Sequence, residues 1–247
     1  MLEPCVNQAA GLQILAPHAA PRLVGVTSHG QQQGELPLLW GLCNTWVDMG
    51  FSVLVLDGHS QESAQNPGLS QLLDNPSGRL NETEGAISWS VLPASLGFDR
   101  LASQGLSSSA LGDLFQNFAV VLIYADAGTM SRLLKRSGLE PLLIVAPLMS
   151  SSLTAYRALK QLLLDAQLRP TVANIVLSPV ANATMPNTFN AQHLQHCAMT
   201  FLGYAIRPIT ITASARADSS QDDVNRLALQ LLESAVFLER HPIERVH

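Results

Sequence analysis

Lysine is nearly missing from this chain: among 247 residues only Lys135 and Lys160 are lysines. That scarcity bears on any phosphate chemistry considered below. Charge of either sign is thin, with Asp, Glu, Lys and Arg together at 13% and a net charge of −5. A sequence-independent nucleic-acid binder needs a basic face, so nucleic acid is not an expected partner. No apolar run reaches the roughly 18–20 residues that a membrane span requires. The start, "MLEPCVNQAAGLQIL", lacks the basic opening and long apolar stretch of a signal peptide. The three cysteines, Cys5, Cys43 and Cys197, are odd in number and scattered, without metal-ligand spacing. They argue against a disulfide framework and fit a reduced, cytoplasmic compartment.

What is present is apolar: 47% of a 26.5 kDa chain, enough for one large domain with a buried core. Short apolar, β-branched runs at 22–28, 52–58, 87–94, 119–126, 141–147, 171–179 and 205–211 alternate with segments of helical period. The helical segments fall at about 36–50, 107–117, 129–138, 150–167, 190–202 and 221–239. Alternation of this kind predicts an α/β domain, a mostly parallel central sheet flanked by helices. Continuous apolar strands predict a sheet buried on both faces. Pro17 and Pro21 set residues 1–20 apart as an extension with its own short helix; the domain covers 21–240 and a tail 241–247. The polar stretch 60–84 reads as a loop with a short helix around Gly68–Leu73.

The turn after the first strand reads Ser28-His29-Gly30-Gln31-Gln32-Gln33-Gly34-Glu35-Leu36. A strand–turn–helix start is a natural anion site, because free N–H groups and the helix dipole converge there. Phosphate-loop enzymes add a lysine for the β- and γ-phosphates and a Ser/Thr hydroxyl for Mg²⁺. Gly30 and Gly34 keep the spacing of a backbone turn, but Glu35 stands at the lysine position and Leu36 at the hydroxyl position. A carboxylate a few ångströms from a triphosphate is repulsive by about 1 kcal/mol or more even in a wet site. On the residues alone two readings stand: an ordinary βα turn, or a phosphate loop that has lost its chemistry.

Other constellations are weaker. Ser28, His29 and Asp57 can be drawn as a hydrolase triad, but no nucleophile-elbow sequence accompanies them. His193, His196 and Cys197 on one helix lack a second cluster to complete a metal site. His59 beside Asp57 reads equally as a pH-sensitive pair or a solvated loop. Ser150, Ser151 and Ser152 read as helix caps.

From Arg22 to about Leu238 the chain resembles the MinD/ParA class of deviant phosphate-loop ATPases, and most nearly the FlhG (FleN) regulators of flagellar number and placement. The landmarks come in order: "VGVTS" with its glycine turn, "WGLCNTWVDMGFSVLVLDGHS", "WSVLPAS", "VVLIYADAG" and "TVANIVLSP". The resemblance places the family's signature lysine at Gly30, its second lysine at Glu35 and its magnesium hydroxyl at Leu36. It places the water-orienting aspartate at His59, next to a surviving Asp57, and the Walker B aspartate at Tyr124. Asp126 lies two residues on, Ala127 and Gly128 are retained, and Asn174 falls where relatives contact the base. It thus implies a pseudo-ATPase with no catalytic residues and no required cofactor; ATP and Mg²⁺ enter only if the degenerate loop still binds them. Any dimer would not be switched by ATP.

"NQAAGLQIL" resembles the family's N-terminal "DQAxxLRxL" segment, with Gln8, Ala9, Leu12 and Leu15 in register, Asn7 for the aspartate and Gln13 for the arginine. In the family this helix binds the signal-recognition-type GTPase FlhF and stimulates it. Asn7 suits an N-cap, and Leu12 and Leu15 give an i, i+3 apolar stripe for a groove. The expected function is a non-catalytic MinD-like regulator, cytoplasmic or peripheral at the inner membrane or cell pole. Flagellar basal-body or transcriptional regulators would be further partners. The alternatives are a weak MinD-like ATPase and an accessory of cellulose-synthesis or pilus machinery. The segment 221–239 places Val224, Leu227, Leu231, Ala235 and Leu238 on one face; its mixed charges favour a core-packing helix with at most weak membrane association.

Overall fold

Runs that read as continuous apolar stretches become strands closed in on both faces. The computed structural model describes residues 20–30, 32–75, 88–104, 108–146, 150–177, 189–213 and 217–239. Nearly all of the N-terminal extension and the 241–247 tail lie outside that set. The strands are β1 (Arg22–Ser28), β2 (Val53–Asp57), β3 (Trp89–Pro93), β4 (Val120–Asp126), β5 (Leu142–Val145), β6 (Thr171–Leu177) and β7 (Ile209–Ala213). They pair in the order 3-2-4-1-5-6-7, every neighbour parallel.

Helices cover both faces. On one side lie α1 (Gln32–Asp48) and α8 (Ala217–Glu233). On the other lie α2 (Leu69–Asp74), α3 (Ser95–Gln104), α4 (Ser108–Leu114), α5 (Ala127–Leu134), α6 (Ser151–Gln161) and α7 (Phe189–Leu202). The pleat distributes the core: Val24 and Val26 of β1 pack toward α1 and α8, while Leu23 packs toward the opposite layer. Each such side chain contributes about 1.5–3 kcal/mol on burial. Among the described residues no helix is long and apolar enough to cross a membrane.

Four differences from the sequence expectation are informative. Helix α1 starts at Gln32, four residues before the expected start. Helix α3 was not expected at all: Gly97 weakens its helical signal, yet Phe98 and Leu101, one turn apart, are buried. The last strand is Ile209–Ala213, shifted from 205–211. The last helix ends at Glu233, and Val236–Phe237 form a short strand, β8, antiparallel to β1. Val224, Leu227 and Leu231 are buried on α8, so that stripe is spent on the core, whereas Ala235 and Leu238 lie beyond the helix.

Candidate functional site

Three strand ends converge at the site. The parallel register sets Ser28 beside Asp126 and Asp57 beside Tyr124, at the carboxyl ends of β1, β4 and β2. The chain passes from β4 on one side of β1 to β5 on the other. Crevices outside the carboxyl ends of strands, where the winding reverses, are where open α/β sheets hold ligands.

The turn leaving β1 is short. Gly30 takes φ +90° with open space around it, a conformation that favours glycine. Gly34 is not in the turn; it lies in the first turn of α1. A Cβ added there would come within 2.4 Å of the Ala146 Cβ, so this glycine lets α1 approach the end of β5. The expected phosphate-loop spacing between Gly30 and Gly34 is therefore a turn glycine followed by a helix-packing glycine.

Glu35 then points inward and is fully buried. Its Oε1 accepts the backbone N–H of His29 at 3.1 Å, and its Oε2 accepts the Tyr124 hydroxyl at 2.8 Å. The His29 ring is buried too. Nε2–H donates to the Ile144 carbonyl at 2.5 Å, Nδ1 meets Thr154 Oγ1 at 2.8 Å, and Nε2 lies 3.4 Å from Glu35 Oε1. His29 is thus committed to Ile144, Thr154 and Glu35, and the triad drawn with Ser28 and Asp57 does not form. Burial pushes the Tyr124 hydroxyl well above its ordinary pKa; a hydrogen bond with Ser28 works against this, and the Glu35 and Asp57 carboxyl groups reinforce it. The raised pKa keeps Tyr124 a protonated hydrogen-bond donor at neutral pH.

The turn thus bonds the protein's own carboxyl group, which is bonded in turn to Tyr124 on β4. A triphosphate entering there would meet that carboxylate, and the two lysines lie elsewhere, Lys135 at the end of α5 and Lys160 within α6.

The remaining expected residues have local tasks. Asp57 Oδ1 accepts the His59 N–H at 2.9 Å and Oδ2 accepts the Ser60 hydroxyl at 2.5 Å, which fixes the turn after β2. The His59 ring stands edge-on to Tyr124, centroids 5.0 Å apart. Asp126 is the N-cap of α5, accepting the Gly128 and Thr129 N–H groups at 2.8 and 3.0 Å and the Thr129 hydroxyl at 2.8 Å. Partial burial works to raise its pKa, but those Thr129 and Gly128 bonds and nearby His59 hold it below the usual carboxylate range. Ser150 precedes α6 without a side-chain cap bond, contrary to expectation; Ser151 Oγ instead accepts the Ala146 N–H at 2.9 Å. Asn174 is buried on β6, two strands from β1, and its Oδ1 has no hydrogen-bond partner among the described residues. His193 and His196 are exposed on α7. Asn7, Gln8, Ala9, Leu12, Gln13 and Leu15 lie outside the described residues.

Two features escaped the sequence reading. Glu62, buried in the loop after β2, accepts the Ser70 N–H and the Gly97 N–H, both at 2.7 Å. One carboxylate thereby caps the starts of α2 and α3; a lone acid shortly before a helix was the available signal. The second is a cavity of about 230 Å³ between α1, β2 and β3, lined in part by Leu36, Trp40, Asp57, His59, Val91 and Tyr124. Trp40 stacks on Trp89 with centroids 4.9 Å apart. Leu36, expected at the magnesium position, is one wall of this cavity.

No protein-family model and no curated protein sequence matches the chain. Solved structures do. Cobyrinic acid a,c-diamide synthase from Mycobacterium smegmatis, solved with ADP and magnesium, superposes with a TM-score of 0.56 at 13% identity over 86% of this chain and 94% of its own. MinD in the MinC:MinD cell division complex of Aquifex aeolicus gives 0.54 at 14% identity over 89% and 99%. The fold is that of the MinD/ParA phosphate-loop ATPases. A plasmid partition protein from Borrelia burgdorferi gives 0.50 at 10% identity over 85% and 99%. In that fold the Glu35–Tyr124 contact joins the first strand–helix turn to β4.

Proposed function

We propose that this chain is a non-catalytic, MinD-like regulator of the FlhG type, acting on flagellar number or placement through protein partners. The observation that carries the reading is the buried Glu35 carboxyl group, bonded at once to the His29 amide of the turn and to Tyr124. Phosphoryl transfer depends on positioned positive charge and metal, and the positions that would supply them hold Gly30, Glu35, Leu36 and Tyr124. A MinD/ParA fold with its phosphate position self-occupied is suited to carrying partner-binding surfaces. The N-terminal segment Asn7–Leu15 is the surface assigned to an FlhF-like GTPase.

The test is GTP hydrolysis by the cognate FlhF-like protein, with and without this chain. Stimulation that disappears with Gln8→Ala and on removal of residues 1–16 supports the reading. Absence of both stimulation and binding rejects the FlhF role. Mg-ATP hydrolysis by the purified chain rejects the non-catalytic assignment.

A further inference from the structure

Beside the plugged turn lies a cavity that the plug does not explain. Leu36 and Trp40 from α1, Val91 from β3 and Tyr124 from β4 give it apolar and aromatic walls, and Gln32, His59 and Ser60 add polar groups. Among the described residues its one acidic lining group is Asp57, the titratable His59 stands beside it, and no lysine or arginine lines it. Each Asp57 oxygen takes one bond from its own turn. A carboxylate offers about four lone-pair sites, so about half its accepting capacity is not used by these two bonds. Asp57 lines the cavity and the Glu35 carboxyl group stands behind the Tyr124 hydroxyl, so the formal charge of the acidic side chains there is negative. That sign repels a phosphate and favours a cation.

Size and shape narrow the occupant. About 230 Å³ is below the roughly 300–1,000 Å³ of typical small-molecule sites and suits a single long side chain. Trp40 is braced for contact: it stacks on Trp89, whose indole N–H donates to Asn44 Oδ1 at 2.9 Å. A guanidinium is planar, weakly hydrated, stacks on aromatic rings and pairs with carboxylates. The cavity is open to solvent, since Val91 is 43% exposed on β3 at the end of the sheet. Arginine is enriched among the residues that anchor protein interfaces.

We propose that this cavity is a socket for an arginine side chain presented by a partner protein, with Asp57 as counter-ion and Trp40 as stacking wall. The assignment rests on the non-catalytic reading, because nucleotide in the turn would set phosphates against the same space. It gives the domain-surface partner a chemistry: a basic segment with one anchoring arginine.

The test titrates the ¹⁵N-labelled full chain with Ac-Gly-Arg-Gly-NH₂, the corresponding lysine and glutamate peptides, and Mg-ATP. The arginine peptide is expected to give saturable shifts at the Trp40 indole and the amides of residues 58–60. The lysine peptide should bind at least about threefold more weakly, and the glutamate peptide should not bind. Asp57→Asn should weaken arginine binding about tenfold, the scale of one charge-assisted hydrogen bond. Because Asp57 also holds its own turn, exposed Val91 supplies an independent variant. Val91→Arg places a competing guanidinium at the rim and should weaken the peptide at least about threefold through its high local concentration. Shifts that fail to saturate, or that persist undiminished in both variants, overturn the socket. If Mg-ATP moves the same signals and displaces the peptide, the cavity is part of a nucleotide site and the socket is overturned, while Mg-ATP hydrolysis would overturn the non-catalytic reading as well. If neither peptide nor Mg-ATP binds, the socket alone is lost.

Discussion

Replacing Glu35 tests whether the phosphate position is structurally occupied. Glu35 and Tyr124 are buried, and two donors converge on the carboxyl group at 3.1 and 2.8 Å. Glu35→Ala strands the Tyr124 hydroxyl and the His29 amide. Leaving a buried donor unpaired costs about 1–3 kcal/mol each, and relief of carboxylate desolvation offsets part of this. The expected net loss is about 3 kcal/mol. In a domain of this size that lowers Tm by about 6–12 °C, taking about 2–4 °C per kcal/mol. Glu35→Gln preserves the shape and one acceptor oxygen, and the Tyr124 hydroxyl can turn to accept from the new amide; the loss should be about 1 kcal/mol. Tyr124→Phe should cost about 1–2 kcal/mol by leaving Oε2 without its donor. Urea unfolding followed by circular dichroism and tryptophan fluorescence, with unchanged m, measures each. In the cycle joining Glu35→Gln and Tyr124→Phe, the expected coupling is about 1 kcal/mol. A Glu35→Ala loss under about 0.5 kcal/mol, or a cycle without coupling, would refute the buried plug.

Glu62→Ala removes the acceptor for the first N–H groups of two helices and should cost about 2–4 kcal/mol in the same unfolding assay, at about 1–2 kcal/mol per lost cap. A loss below about 0.5 kcal/mol would show that α2 and α3 do not depend on it. Asp126→Ala should cost about 0.5–1 kcal/mol at pH 7, the low end for an N-cap because the residue is exposed. The folded-state pKa is lowered, so the wild-type advantage is fully present above the unfolded value of about 3.9 and is lost as pH falls through the folded one; an advantage that grows on acidification contradicts the cap. Glu35→Lys alone should not restore Mg-ATP binding by equilibrium dialysis and should unfold more easily than Glu35→Gln, because it sets a buried ammonium group against Tyr124 and the His29 amide. Restored binding would mean that only one charge separates this turn from a working loop.

Strands were legible in the sequence because parallel strands buried on both faces leave unbroken apolar runs. Helix boundaries were less legible, for reasons visible at individual residues. The segment Gly30–Gly34 reads as loop, since glycine disfavours helix and Pro37 suits a first turn a few residues later. The contact between Gly34 and Ala146 is tertiary and overrides that local preference. Helix α3 was hidden by Gly97, whose missing side chain makes room for Leu69; a Cβ there would meet it at 2.5 Å. At the site, resemblance marked Glu35 and Tyr124 as misfits at two separate positions. Their hydrogen bond spans 89 residues of sequence, and no local pattern announces it. Trp40 and Trp89, 49 positions apart in the numbering, likewise meet only through the fold.

That hydrogen bond changes what the two misfits mean. Taken separately, the resemblance implies two losses of charge chemistry, a glutamate for a lysine and a tyrosine for an aspartate. In the structure each answers the other: the carboxyl group needs a donor in a buried place, and the phenol supplies one that burial keeps protonated. His29 closes the arrangement from the turn side by its backbone N–H, while its ring is tied to Ile144 and Thr154. The result links the first strand–helix turn to the fourth strand through protein atoms alone. A self-satisfied network of this kind stabilises one conformation of the turn rather than two. Any partner-dependent change would therefore act on the surface around the turn, and the cavity walled by Leu36, Trp40 and Asp57 opens directly beside it.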